Sequence, residues 1–337
     1  MNTAELPMIL FTVLAQMSVG AFLTLGALQV VGHLRHDKTW TTDRVTRAAL
    51  FAVWPLLVLG FAAAFFHLGD PFHALNTFRN FGSSWLSREI VFGVLYGALG
   101  FACTGFEWFG WGSRGTRQVL AILTATAGVG LLVSMIQVYY SVRTVPAWHN
   151  SSTWLLFLGS ALLTGPLAVA VALLFSWTSQ LKRDEHGTNS GWRRFLDLLR
   201  VTEARPMDAP TSKLTTVAIQ LCALLSLVAA LVLLVTYPLL TQHLAQGKNP
   251  ASAHVLGLLT EGSALTWRLL LLALVVVLVS GVAYVRAKNA ERPSHTLVWV
   301  LTAAFVLAVG GELLGRALHY EGLFHVGLNT LQAGLGG

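Results

Sequence analysis

Eight apolar runs, each about as long as a bilayer is thick, leave this chain few ways to fold. A spanning helix needs ~20 mostly apolar residues. Runs of that kind lie at roughly 6–32, 46–68, 89–108, 118–140, 153–179, 214–240, 262–285 and 296–318. Gly and Pro inside them do not argue against helix, because membrane helices tolerate both. The pattern predicts an all-α integral membrane protein with eight transmembrane helices, a number that two four-helix bundles accommodate. Composition agrees. Only 11% of residues are charged, against roughly 25% in a soluble domain. The 337 residues read as a single membrane domain with no internal repeat and one long inner loop, about 180–213.

Orientation follows from the loops. Sixteen Lys and Arg fall on one side: Arg35, Lys38, Arg44, Arg47, Arg114, Arg117, Lys182, Arg183, Arg193, Arg194, Arg200, Arg205, Lys213, Arg286, Lys288 and Arg292. Six fall on the other: Arg79, Arg88, Arg143, Lys248, Arg268 and Arg316. The cation-rich side is the cytoplasm, so an even number of spans puts both termini outside. In the inner loop, GWRRFLDLLR (191–200) places Trp192, Phe195, Leu196 and Leu199 on one helical face. That pattern suits a short amphipathic helix on the membrane surface or a packing segment between loops.

The same features exclude several classes. A net charge of +7 and a pI near 9.8 do not indicate nucleic acid, since the cations are topological and no basic block carries interleaved aromatics. Cys103 and Cys222 sit in separate apolar runs with no CxxC, so no iron–sulfur cluster, zinc site or disulfide framework is expected. A haem is not expected either, because the histidines lie at or beyond helix ends rather than within facing spans. No cleavable leader is expected: Glu5 precedes the first run and no Lys or Arg precedes Arg35.

Ionisable groups in or at the ends of spans are functional candidates by default. They gather at the outer ends: His67 and Asp70, Arg88 and Glu89, Arg143, Arg268, Glu312 and Arg316, with Tyr139 and Tyr140 on the same side. His67 closes the second span and Glu89 opens the third. Ser83, Ser84 and Ser87 can cap that helix, and a carboxylate on its first turn matches the helix dipole. Together His67 and Glu89 form a proton-accepting pair suited to a hydroquinone that loses two protons with two electrons. Glu312 and Arg316, spaced i and i+4, can pair on one face. Arg143 and Arg268 can hold Glu89 ionised, orient a quinone carbonyl, or snorkel outward.

Several stretches resemble the membrane-anchor subunit of dimethyl sulfoxide reductases (DmsC-type), and more broadly the quinone-interacting NrfD/PsrC-like membrane subunits. They are ELPMILFTVLAQMSVGAF (5–22), FHLGDPFHALNTFRNFGSSWLSREI (66–90), VYYSVRTVPAWH (138–149), LTWR (265–268) and GGELLGRALHY (310–320). These blocks fall in family order over nearly the whole chain. The resemblance implies an eight-helix anchor in a prokaryotic cytoplasmic membrane that oxidises menaquinol near the outer face during anaerobic respiration. It implies two partners: an iron–sulfur electron-transfer subunit and a molybdopterin catalytic subunit that reads the terminal substrate. It assigns the essential carboxylate to Glu89 and the quinol-site histidine to His67. Tyr139, Arg88, Arg143, Arg268, Glu312 and Arg316 are further candidates for quinol contact. The loop at 180–213 is longer than the family leads one to expect.

Three other readings compete. Related anchors serve sulfite, polysulfide or thiosulfate chemistry, some passing electrons into the quinone pool, and SSWLSRE (83–89) suits them equally. A secondary transporter would want broken spans and charges at the midplane. A purely structural anchor would not need His67 and Glu89 clustered at one end.

Overall fold

The computed structural model describes residues 6–35, 39–67, 79–187, 190–199, 201–285, 294–327 and 329. Among them the regular structure is helical, with no strand. The helices are α1 (Leu6–Leu34), α2 (Thr39–His67), α3 (Trp85–Phe109), α4 (Arg114–Tyr140), α5 (Ser151–His186), α6 (Gly191–Leu198), α7 (Ala209–Gln246), α8 (Pro250–Glu261), α9 (Ala264–Val277) and α10 (His295–Glu321). A π-helical turn, Leu278–Tyr284, continues α9.

Among the described residues, seven helices are long and apolar enough to cross a membrane: α1, α3, α4, α5, α7, α9 with its continuation, and α10. The run at 46–68 lies in α2 as far as His67, and that helix is 29 residues long; residue 68 and the side chains of part of the run fall outside the described residues. Apolar side chains such as Phe101, Ile122, Val228, Val277 and Val306 stand exposed. Exposed apolar surface on that scale is what lipid covers.

Helices α1 and α5 join the two halves. α1 lies along α2 and also along α5, α3 pairs with α4, α5 with α7, and α9 with α10. The α1–α5 crossing has no room for side chains: a Cβ on Gly20 would strike the Ala161 carbonyl, and one on Gly165 would strike the Gly20 backbone. Small residues at membrane helix crossings let backbones touch and gain dispersion contacts. Near the middle, Ser18 Oγ of α1 donates to the Val53 carbonyl of α2 and shares a hydrogen bond with Tyr96 of α3, both at 3.1 Å.

Two expectations are corrected here. Helix α3 starts at Trp85, not near Glu89, and Ser84 is its cap, accepting from the Ser87 N–H at 3.3 Å. Glu89 therefore sits in the second turn, and the dipole match expected for a first-turn carboxylate does not describe it. The inner loop is also shorter than 180–213, because α5 continues to His186 and α7 begins at Ala209. Between them α6 forms within the amphipathic stretch. Leu196 is buried, while Trp192 and Phe195 are exposed and pack on each other at 5.6 Å.

The cation-rich end is closed by a polar knot. Arg44 donates to the carbonyls of Pro206 and Arg205, Arg47 pairs with Glu203 at 3.3 Å, and Arg183 pairs with Asp197 at 2.8 Å. Burial pushes the Asp197 carboxyl up, but hydrogen bonds from Arg183 and Thr202 and the Arg183 charge outweigh it and hold it below the usual carboxylate range.

Candidate functional site

The opposite end of the bundle gathers the α1, α3, α5 and α9 N-termini with the α2, α4, α7 and α10 C-termini. Glu89, the fifth residue of α3, stands about one turn beneath that end. It is buried and has no hydrogen-bond or ion-pair partner among the described residues. At the same end, Tyr139 of α4 and Tyr320 of α10 are each the last residue but one of their helix. Both are buried, and their hydroxyls share a hydrogen bond at 2.9 Å.

An aromatic box surrounds this pair. Tyr139 packs edge-on to Trp148 and to His319, each at 5.0 Å. The His319 ring stacks on Trp148, whose Nε1 donates to the His319 carbonyl at 2.7 Å. His319 Nε2 is sealed from solvent and unbonded among the described residues. Phe157 of α5 forms the floor, and Arg316 lies over its ring at 3.6 Å. Arg316 also donates to Gln16 Oε1 of α1 at 2.9 Å.

A second buried cluster adjoins the box. Arg268 of α9 bonds Glu312 of α10, and its Nε donates to the Tyr237 hydroxyl of α7 at 3.3 Å. Gly311 and Gly315 make the room: a Cβ on either would strike the Arg268 guanidinium. The pairing of Glu312 with Arg316 expected from their spacing is thus not the one made. Glycines at 311 and 315 admit the cation of the neighbouring helix, while Arg316, one turn on, is turned away by Phe157 and Gln16.

The candidates therefore separate. Tyr139 and Arg316 share the box beside Glu89. Arg268 and Glu312 form the adjoining ion pair. Arg88 turns aside, bonding the carbonyls of Phe81 and Gly82 and lying over Trp85, and Arg143 is exposed. His67 ends α2, but its side chain lies outside the described residues, as does all of Asp70. Sequence reading passed over Gln16, Trp148, Phe157, Tyr237 and Tyr320 as site residues. Gln16 carried a usable signal, as one of two amides, with Gln29, in a mostly apolar span; the aromatics carried none that distinguishes them from core.

The sequence profile described as DMSO reductase anchor subunit (DmsC) matches residues 1–323. The C component of the anaerobic dimethyl sulfoxide reductase of Escherichia coli is 27% identical over 321 residues, 94% of either protein. The YnfH component of an anaerobic dimethyl sulfoxide reductase of Escherichia coli is 34% identical over 173 residues, 50% of this chain and 57% of that protein. The C component of the sulfite dehydrogenase of Allochromatium vinosum is 36% identical over 119 residues, 32% of this chain and 36% of that protein.

Proposed function

This chain belongs to the DMSO reductase anchor subunit (DmsC) family, and on that footing we propose that it oxidises menaquinol at the Glu89 end of the bundle. It hands the electrons to an iron–sulfur subunit that serves a molybdopterin catalytic subunit. The observation that carries this reading is Glu89, a buried carboxyl without a partner among the described residues, at the end of the bundle that holds a hydrogen-bonded tyrosine pair.

The chemistry is simple to balance. A hydroquinone gives up two electrons and two protons and becomes the quinone. The electrons pass singly to the iron–sulfur partner. Glu89 takes one proton from a quinol hydroxyl, and His67, at the end of the neighbouring α2, takes the other. The Tyr139–Tyr320 pair and Trp148 supply apolar walls with a polar edge, which suits an aromatic ring bearing oxygens. Eight spans, with α2 as the eighth, put both termini and this site at the outer face. Protons are then released on the side where a docked reductase would consume them.

Glu89→Gln tests the reading, because it keeps the shape of the side chain and removes the base. The purified complex should assemble, and a soluble dye that feeds the catalytic subunit directly should show it. Quinol-driven turnover should fall about 100-fold or more, the low end for loss of a positioned base. Normal quinol turnover in that variant sinks the assignment. A second reading rests on the likeness to the sulfite dehydrogenase component: the same site run in reverse, reducing quinone with electrons from a sulfur compound. Feeding sulfite and quinone, against quinol and dimethyl sulfoxide, to the intact complex separates the two directions.

A further inference from the structure

Gln16 and Arg316 form a pair that the protein leaves incomplete. Both are almost wholly buried. A guanidinium carries five N–H donors and no acceptor; here one nitrogen bonds Gln16 Oε1 and one face lies on Phe157. Arg316 Nε, Arg316 Nη1 and Gln16 Nε2 are sealed from solvent and have no partner among the described residues. No carboxylate comes within ion-pair distance of Arg316 among the described residues, since Glu312 is engaged by Arg268. Buried donors are almost always bonded, and a buried cation without an anion is costlier still. Three unpartnered nitrogen donors on two helices therefore call for an oxygen acceptor.

Their position identifies the acceptor. Gln16 lies one turn along α1 from Thr12, whose hydroxyl accepts from Tyr320 at 3.5 Å, and Phe157, beneath Arg316, packs against Tyr139 at 5.4 Å. The donors thus adjoin the tyrosine pair at the end of the bundle that also holds Glu89, a hydrogen-bond acceptor. We propose that Gln16 and Arg316 bind the second oxygen of the quinol ring, opposite the hydroxyl that faces Glu89. This rests on the reading that quinol is oxidised at this end. Arg316 cannot act as a base, so its role is to hold and orient. Once the proton of that hydroxyl has passed to His67, the acceptor of the second proton, oxidation leaves a carbonyl with both lone pairs free, so this pair grips the oxidised ring more firmly than the reduced one.

The test uses the intact complex with Arg316→Met, Arg316→Lys, Gln16→Leu and Gln16→Glu. A short-chain naphthoquinone is titrated by quenching of tryptophan fluorescence, and KM and kcat are measured with the corresponding naphthoquinol. Losing a charge-assisted hydrogen bond at this site should weaken naphthoquinone binding and raise KM about 10–100-fold in Arg316→Met and Gln16→Leu, with Arg316→Lys in between. Gln16→Glu is the deciding variant. It gives Arg316 an internal anion, so a merely structural pair should become more stable and bind naphthoquinone as before. We expect the melting temperature to hold or rise while naphthoquinone binding is lost. Unchanged binding in Gln16→Leu and Gln16→Glu overturns the inference and leaves water as the occupant, whether or not Arg316→Met assembles. A wild-type complex that binds no naphthoquinone overturns this inference and the quinol reading together; wild-type binding retained in Gln16→Glu overturns this one alone.

Discussion

Arg268 and Glu312 are each at most 3% exposed, so neither charge has water to fall back on. Removing one partner of a buried pair strands the other and typically costs about 3–5 kcal/mol, whereas replacing both with apolar groups is often neutral. Glu312→Gln should therefore destabilise the chain in detergent by about that much, and Arg268→Met with Glu312→Leu should recover most of it. A double-mutant cycle followed by thermal unfolding measures the coupling; additive losses would mean the pair does not interact. At this scale the sequence told which residues were out of place in lipid but not whom they would meet. Glu312 and Arg316 looked like partners because helical spacing is local. The actual partner of each is on another helix, and only the packed bundle chooses it.

Elements were legible where length and apolarity agree, and less so where capping decides. Helix α3 begins four residues before Glu89 because Ser84, of three serines able to cap, is the one that does so. Helix α8 was missed: at 12 residues it is too short to register in a search for spans, although Asn249 caps it and Pro250 begins it. Helix α6 was found from its face pattern, and the Arg183–Asp197 pair ties it to α5. The Asp197 carboxyl is depressed, so its contribution is present above the ordinary carboxylate pKa of about 3.9 and is lost as pH falls through the lower folded value. At neutral pH, Asp197→Asn should speed protease cleavage and amide exchange in 190–199 relative to wild type. The wild-type segment should keep its protection until the pH drops below the ordinary carboxylate range. Equal exchange in the two proteins would show that α6 is held by Leu196 and its neighbours instead.

At the scale of the whole molecule the decisive quantity is the parity of the spans. Seven crossings put the termini on opposite sides; eight, with α2 counted, put them together on the side away from the sixteen cations. Alkaline phosphatase fused to the C-terminal end should be active, because it matures only outside the cytoplasm. An inactive but stable fusion would invert the placement of the Glu89 site. The apolar runs and the loop charges are the grounds for expecting eight. The pairing of helices was not readable, because glycines at 20 and 165 mark a close crossing only once both helices are in place. The Arg268–Glu312 bond has a further consequence, for the order in which the chain is made. During synthesis α9 reaches the bilayer before α10 exists. An arginine at the centre of a span costs about 2.5–3.5 kcal/mol on insertion scales; Arg268, the fifth residue of α9, costs less, and its counter-charge arrives only with the next helix. Entering the bilayer alone, α9 carries an uncompensated cation near one end, and the arrival of α10 neutralises it.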